Sequence, residues 1–573
     1  MDKLRTVYGD EFLKYALAVD KLDIATGSLS AGQQESFGLL EGIAKRLFGP
    51  RLKIRAGAQI GLLHSVGQYV PQSAATLCSA LRTGSGGTLA DIKHSDPVIR
   101  KLLVVARDIW PVFLLPRPEN WPLHRGLSTS VSAHPVAQEV QRLLLADDLA
   151  RFFPDPEDPS APVTADGAEH TAEPAGRPFT GTADVTSTVG HLAGMRLADL
   201  PDALLLAARY RQLLGRDQSL KSYLGQVEQA TCDARKLAAG GQVSIPVLIG
   251  LTNLRVRTPN DVVTPFGVFR APRESDTALL PRVDGTEGRV TAVLETAFPM
   301  RILAARAVPT DPTAGAASPT AGGDPATGGF GAGIPPAFSD HRRRAERTVH
   351  LARYALLLAT ERTLLAPVPV AQAVFDPTRA APIQSYTPRS APAADTGADT
   401  AAGTGTGTGT GTVDETTRQR IESWARKVDQ QHPTNLDFGV RRLLAAATTD
   451  TDPADGLVDA VACWTAMFGA GPGAEAGFRV CGAMASILEP YDRGKRLAVF
   501  RALQRLHDTS SAIAHGGEEA DSQEIDVARQ AAVGYAVDAM RKLYDFPGLL
   551  TARSPGDRGR DILLYSGAIS YGS

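Results

Sequence analysis

The chain of 573 residues has no long apolar run. Its greasiest stretches, such as Leu102 to Val105 and Leu356 to Leu358, fall far short of the roughly 20 residues that span a bilayer. Met1 to Asp10 is polar and charged, with no apolar signal core behind it. Cysteine is scarce: Cys78, Cys232, Cys463 and Cys481 form neither a CxxC pair nor a Cys/His cluster. That spacing argues against a zinc ribbon, and scattered thiols suit a reducing compartment. No metal or cofactor is expected. An excess of one charge is also lacking, since 60 Lys and Arg face 62 Asp and Glu for a net charge of -2. This near balance excludes whole-protein attraction to nucleic acid or anionic membrane, and leaves only a local basic patch for such contacts. The expectation is a cytoplasmic protein with no membrane partner.

Hydrophobic residues make up 43% of the chain, enough for ordinary packed cores, and the length allows two to four domains. Three low-complexity stretches divide it: 154–188, 309–340 and 388–413, the last ending in a Gly-Thr alternation. They have little apolar surface to offset the entropy of ordering and read as linkers. The expected fold is multidomain and mainly α. A helical N-terminal region (1–153) precedes a small α+β middle region (189–308 and 341–387). A C-terminal helical bundle (414–550) and a tail (551–573) follow.

Local patterns support these divisions. Ser30 and Gln33 fit a capping box ahead of Phe37, Leu40, Ala44 and Leu47, and Gly49-Pro50 stops that helix. Val98, Leu102, Val105 and Ile109 share one helical face, and Leu200 to Leu237 reads as helix. Val243 to Val256, Val262 to Phe269 and Val290 to Phe298 are rich in branched residues and predict a small antiparallel sheet. Leu351, Tyr354, Ala355 and Leu358 predict an amphipathic helix. From Asp414 every strong period is helical, over Ile421 to Val428, Asn435 to Ala446, Asp455 to Phe468, Phe478 to Leu488, Arg496 to Leu506 and Ile525 to Tyr544. Short links between them favour antiparallel neighbours in a bundle.

Two motifs in this last region carry a family signal. One is Asp455 followed by Leu457-Val458-Asp459-Ala460-Val461-Ala462-Cys463-Trp464-Thr465-Ala466-Met467-Phe468-Gly469, with Phe478-Arg479 beyond it. The other is Leu506-His507-Asp508-Thr509-Ser510-Ser511-Ala512-Ile513-Ala514-His515-Gly516. Together they resemble the HEPN domains of the Apea-like family. There the second stretch commonly reads Tyr-Asp, a hydrophobic residue, Arg-Ser, two more residues, then His-Gly. The resemblance covers about a quarter of the chain well and, more weakly, Val243 to Phe375. It implies a homodimer through the region around Phe500 to His515, an RNA partner and a role in defence or stress response.

HEPN ribonucleases place an Arg four to six residues before a His, without a metal. Histidine suits a base for the ribose 2'-hydroxyl, and the arginine fork suits the phosphorane charge. On this alignment Ser510 stands at the Arg position and Thr465 at that of an upstream Glu. His515 is then a candidate base that Asp508 orients, or a helix-ending residue ahead of Gly516-Gly517. With the Arg missing, the second reading is favoured. His507 replaces a Tyr and reads as packing. The resemblance therefore implies a weakened or absent nuclease that acts by binding, with a metal-independent endoribonuclease using His515 as the alternative.

Two further features are weighed from the residues alone. Arg342, Arg343, Arg344 and Arg347 form the clearest basic cluster and could meet RNA, although a solvated edge is the plainer reading. Gln59 to Leu63, a break near Gly67, and Gln72 to Arg82 have helix-turn-helix spacing, with Gln72, Ser73 and Arg82 placed to reach DNA. That makes a DNA-binding regulator the second alternative.

Overall fold

The computed structural model describes residues 2–22, 28–49, 56–70, 75–116, 134–153, 196–252, 254–280, 290–301, 336–360, 368–377, 383–386, 411–448, 452–469, 475–516, 521–552 and 554–565. The protein is mainly helical, with a sheet in the middle of the chain. No described helix is long and apolar enough to cross a membrane.

The N-terminal region begins with helices α1 (Asp2–Tyr8), α2 (Asp10–Leu17), α3 (Ala31–Phe48) and α4 (Ala56–Gly67). A two-residue hairpin of β1 (Tyr69–Val70) and β2 (Ala75–Thr76) then leads into α5 (Leu77–Gly84). The capping box forms: Gln33 N–H donates to Ser30 Oγ, and Ser30 N–H to Gln33 Oε1. Tyr8, Phe12, Leu40, Ile43, Leu62, Val66, Cys78 and Leu81 pack a small core of their own.

α6 (Pro97–Ile109) and α7 (Ala137–Leu145) belong to a larger core that extends to Ile562. α8 (Leu200–Leu214) and α9 (Leu220–Ala238) are two helices rather than the single one expected. Gly215 ends the first, and the Ser219 side chain caps the second by accepting from Ser222 N–H. A half-buried clasp joins these pieces. Arg235 of α9 donates to Asp96 Oδ2 at 2.7 Å and to Asp147 Oδ2 at 2.6 Å. Asp96 is the N-cap of α6, and the Arg235 hydrogen bond holds its carboxyl below the usual range.

The sheet has six antiparallel strands in the order β5 (Val262–Thr264), β6 (Gly267–Arg270), β7 (Ala292–Arg301), β3 (Gln242–Thr252), β8 (Val368–Val374), β9 (Ile383–Tyr386). The three expected stretches supply β3 and β5 to β7. β3 lies at the centre, in register from Gln242↔Arg301 to Leu251↔Ala292. Consecutive burial of Val247 to Leu251 shows both of its faces covered there. Pro246 lacks an N–H, but its nitrogen faces the same side as its oxygen, towards β8 and just beyond the Val247–Val374 pair that ends that ladder, and the oxygen accepts from Phe375 N–H.

β4 (Leu254–Val256) pairs in parallel with β10 (Gly411–Val413), so the end of the Gly-Thr stretch is pinned to the middle region. The short α10 (Asp276–Leu279) and the long α11 (Pro336–Ala359) complete that region.

Seven helices form the C-terminal bundle before its last element: α12 (Glu415–Gln431), α13 (Asp437–Ala446), α14 (Pro453–Phe468), α15 (Ala476–Leu488), α16 (Arg493–Ala514), α17 (Ser522–Leu543) and the short α18 (Pro547–Leu550). Trp464 is fully buried, and its indole N–H donates to Ala532 O at 3.2 Å. α11 is fastened to this bundle. Arg541 donates to Leu358 O and Thr360 O at its C-terminal end, and Arg347 Nε donates to Asp437 Oδ2 at 2.8 Å.

The segment read as a tail contains a further helix, α19 (Pro555–Tyr565), packed on α14 and α15. Arg558 is buried and accounts for this docking. Its guanidinium donates to Leu549 O (2.7 Å), Met467 O (2.7 Å) and Leu550 O (3.1 Å). Ile562 adds a buried apolar contact to the core, but with one arginine and one isoleucine as its inward anchors the short helix left no apolar period to read.

Candidate functional site

α16 carries the second motif. Asp492 caps it by accepting from Lys495 N–H at 3.0 Å. Of its 22 residues only Leu503 and Ser510 are buried, with Phe500, Leu506 and Ile513 partly so. The helix lies on the bundle along a narrow seam and turns its other faces to solvent.

His515 is the C-cap residue of α16, exposed, with its backbone N–H donating to Ser511 O at 3.1 Å. Gly516 follows at φ 72°, the left-handed conformation that ends helices. Asp508 is exposed too, two helical turns and about 10 Å earlier. Among the described residues the basic side chain within 4.0 Å of it is His507, with Nδ1 at 3.9 Å, and no hydrogen bond joins it to His515. The His507 ring packs against Gly477 of α15, where a Cβ would come within 2.5 Å of it. Thr465 Oγ1 turns back to Val461 O of its own helix at 3.2 Å.

Ser510 points the other way from His515. It is 4% exposed and faces the seam, because five residues of helix rotate a side chain by more than a third of a turn. Ser510→Arg is therefore expected to destabilise the bundle by about 2–4 kcal/mol, through overpacking and an unpaired buried charge, rather than to create a ribonuclease. Urea unfolding checks the first half of this expectation and RNA cleavage the second. A stable, active variant would sink it.

The Arg342 to Arg347 cluster separates. Arg342, Arg343 and Arg344 lie on α11 with side chains outside the described residues. Arg347 is bound to Asp437. Burial pushes the Asp437 carboxyl up, but hydrogen bonds from His432 and Arg347 outweigh it and hold the group below its usual range. His432 is held on both nitrogens, by Tyr544 OH at 2.9 Å and Asp437 Oδ1 at 3.2 Å. This chain of polar groups ties α11 to the bundle.

The helix-turn-helix expectation is corrected. The link between α4 and α5 contains a β-ladder, and α5 buries Cys78, Ser79 and Leu81. Arg82 is used internally: Nε donates to Thr88 O at 2.9 Å, Nη1 to Tyr15 O at 3.0 Å, and its guanidinium carbon sits 4.7 Å from the Tyr15 ring centroid. Gln72 and Ser73 lie outside the described residues.

A buried polar cluster nearby was not foreseen. His134 Nε2 lies 3.2 Å from Asp108 Oδ2, and its Nδ1 accepts from Val136 N–H at 3.3 Å. The second contact places the ring proton on Nε2, pointing at Asp108. Both nitrogens are occupied and the ring is buried, so this histidine braces the structure and is not placed to act as a base. Among the described residues no three His, Cys, Asp or Glu side chains gather as a metal site.

What the sequence reading passed over is the charge of α16. Arg493, Lys495, Arg496, Arg501 and Arg505 face only Asp508, a net +4 on a chain whose total is -2, so the remainder carries -6. Arg496 is spent on Glu489 O and Pro490 O at the α15–α16 corner. Arg493, Arg501 and Arg505 have no carboxylate within 4.0 Å among the described residues. Leu497, Arg501, Arg505, Asp508, Ala512 and His515 follow one another at helical spacing on the exposed side. That periodicity was open to inspection but mixed with apolar residues of the seam. Against models of protein families, curated proteins and solved structures, the chain matches none.

Proposed function

We propose that the C-terminal bundle is a HEPN-like, RNA-associated module of a cytoplasmic defence or stress system. It acts by binding and by forming a homodimer around Phe500 to His515, with nuclease activity weakened or lost. The observation that carries this reading is α16: a long, solvent-facing, cationic helix ending at His515, with no arginine on the inner side where Ser510 sits. Unpaired arginines on an exposed stripe suit phosphate contacts, which supply sequence-independent affinity.

Without a cation aimed at the phosphorane, cleavage should fall about a hundredfold to a thousandfold below that of a complete site. The expected result is little or no metal-independent cleavage by the full chain, with His515→Ala indistinguishable from wild type. Efficient cleavage that disappears in His515→Ala would overturn the weakened-nuclease reading in favour of an endoribonuclease. Sedimentation equilibrium tests the dimer separately, and a monomer at high concentration removes that part. The internal use of Arg82 removes the main support for the DNA-binding alternative.

A further inference from the structure

We infer that the first half of α16, with the adjoining corner and the start of α15, is a docking platform for single-stranded nucleic acid, separate from the His515 end. Leu497 and His515 are about 27 Å apart along the helix axis. The partner class rests on the RNA-associated reading above. To the exposed arginines of α16 that reading uses, the platform adds the aromatic rings of Phe478 and Tyr491, which it does not.

Phe478 is 62% exposed, Tyr491 78% and Leu497 49%, among the most exposed large apolar residues of the described chain. Phe478, in the first turn of α15, meets Phe500 edge to face at 5.2 Å between ring centroids. That contact sets the angle of the Phe478 ring while leaving most of it in solvent. Tyr491 lies at the α15–α16 corner, two residues before α16 begins. Arg493, Lys495 and Arg501 are exposed on the same half of α16. Among the described residues the first and third have no carboxylate within 4.0 Å, and Lys495 has only Asp492, at 3.9 Å. Arg479, beside Phe478, is tied to Glu475 at 3.4 Å.

Charge complementarity selects the occupant. A surface of exposed rings edged with arginine and lysine matches a strand that offers both bare base faces and phosphates. Bases stack on aromatic rings whatever their identity, while cations track the backbone. A duplex hides its base faces and could use only the cations. Stacking and phosphate contact do not read the 2'-hydroxyl, so the shared chemistry is that of a single strand of either sugar.

The test is fluorescence anisotropy with the full chain and a labelled oligouridine of about a dozen nucleotides, with oligothymidine and a duplex of equal length alongside. Binding of either single strand at least about tenfold tighter than the duplex is expected. Tyr491→Ala should weaken single-strand binding about tenfold, and so should Phe478→Leu, which keeps apolar packing against Phe500 but removes the flat ring. Arg501→Ala should lower the slope of log K against log salt by about 0.7. Lys93→Ala, a distant exposed cation, should change neither. No binding to any RNA would overturn the RNA-associated reading together with the platform. Binding that Tyr491→Ala and Phe478→Leu leave unaltered, or a preference for duplex, would overturn the platform alone.

Discussion

Replacing Arg558 by alanine is expected to cost about 3–5 kcal/mol of folding stability, a large fraction of what a domain possesses. Arg558 is fully buried with no carboxylate within 4.0 Å among the described residues, and burial pushes its guanidinium down to about 10. What holds the charge is a set of carbonyl oxygens. Met467 O belongs to the last turn of α14, and Leu549 O and Leu550 O end α18. The C-terminal ends of helices leave such oxygens without partners and carry a partial negative charge, so a cation there is stabilised twice. Alanine would remove the arginine's bonds to two buried acceptors, Met467 O and Leu550 O, and open a cavity between α14, α18 and α19, whereas Leu549 O keeps the Ala552 N–H at 3.3 Å. Arg558→Met fills most of the volume and should recover only the packing share, and Arg558→Lys keeps the charge but loses the fork. Urea unfolding of the three variants separates these shares. A loss below about 1 kcal/mol in Arg558→Ala would show that α19 is not part of the folded bundle. Gly559 sharpens the point: a Cβ there would meet Phe468 O at 2.4 Å, so α19 reaches the arginine's acceptors only with glycine next to it.

Asp202 should make the protein less stable as the pH rises from about 4 to about 8. The residue lies in the first turn of α8, where the helix dipole favours an anion. Burial nevertheless pushes its carboxyl from 3.8 up to about 8, with Asp199 adding to the shift, and Oδ1 is buried without a hydrogen-bond partner. The folded chain therefore keeps this proton until about pH 8, while the unfolded chain releases it near 3.8. Between those values the unfolded chain holds fewer protons, so each unit of rising pH removes up to about 1.4 kcal/mol. The contribution is fully present below 3.8 and gone above about 8. Asp202→Asn removes the titration. It should leave stability near pH 4 little changed and gain roughly 3–5 kcal/mol at pH 9.

His350 works in the opposite sense and must be kept apart. Burial, with Arg353 and Arg441 helping, pushes it down to about 4. Its stabilising share is present above about 6.5 and lost as the pH falls towards 4. Subtracting the pH profile of Asp202→Asn from that of wild type cancels His350. Parallel profiles for the two proteins would remove the claim that Asp202 is protonated at neutral pH.

Much of the architecture was legible because it rests on short-range rules. The Ser30–Gln33 box, the faces of α6 and α12 to α17, and the branched runs of β3, β6 and β7 are periodic, and burial on one side is what periodicity reports. The break in α8–α9 was also local, carried by Gly215 and Ser219, but a continuous apolar period masked it.

Candidate site residues were legible as types and not as neighbours. Ser510 and His515 are close in sequence, yet the helix turns one inward and leaves the other at its exposed end. Arg347, Arg82 and Arg558 look alike in the sequence. Only packing decided that the first binds Asp437, the second Thr88 O and Tyr15 O, and the third the ends of two helices. The sequence by itself determined the mainly helical class, the helix faces and the strand stretches, because these follow from spacing within one segment. The tertiary structure alone decided which arginines are spent internally, that α19 belongs to the bundle, and that α16 keeps its cations in solvent. Those outcomes depend on distances between segments far apart in the chain, which no local period encodes.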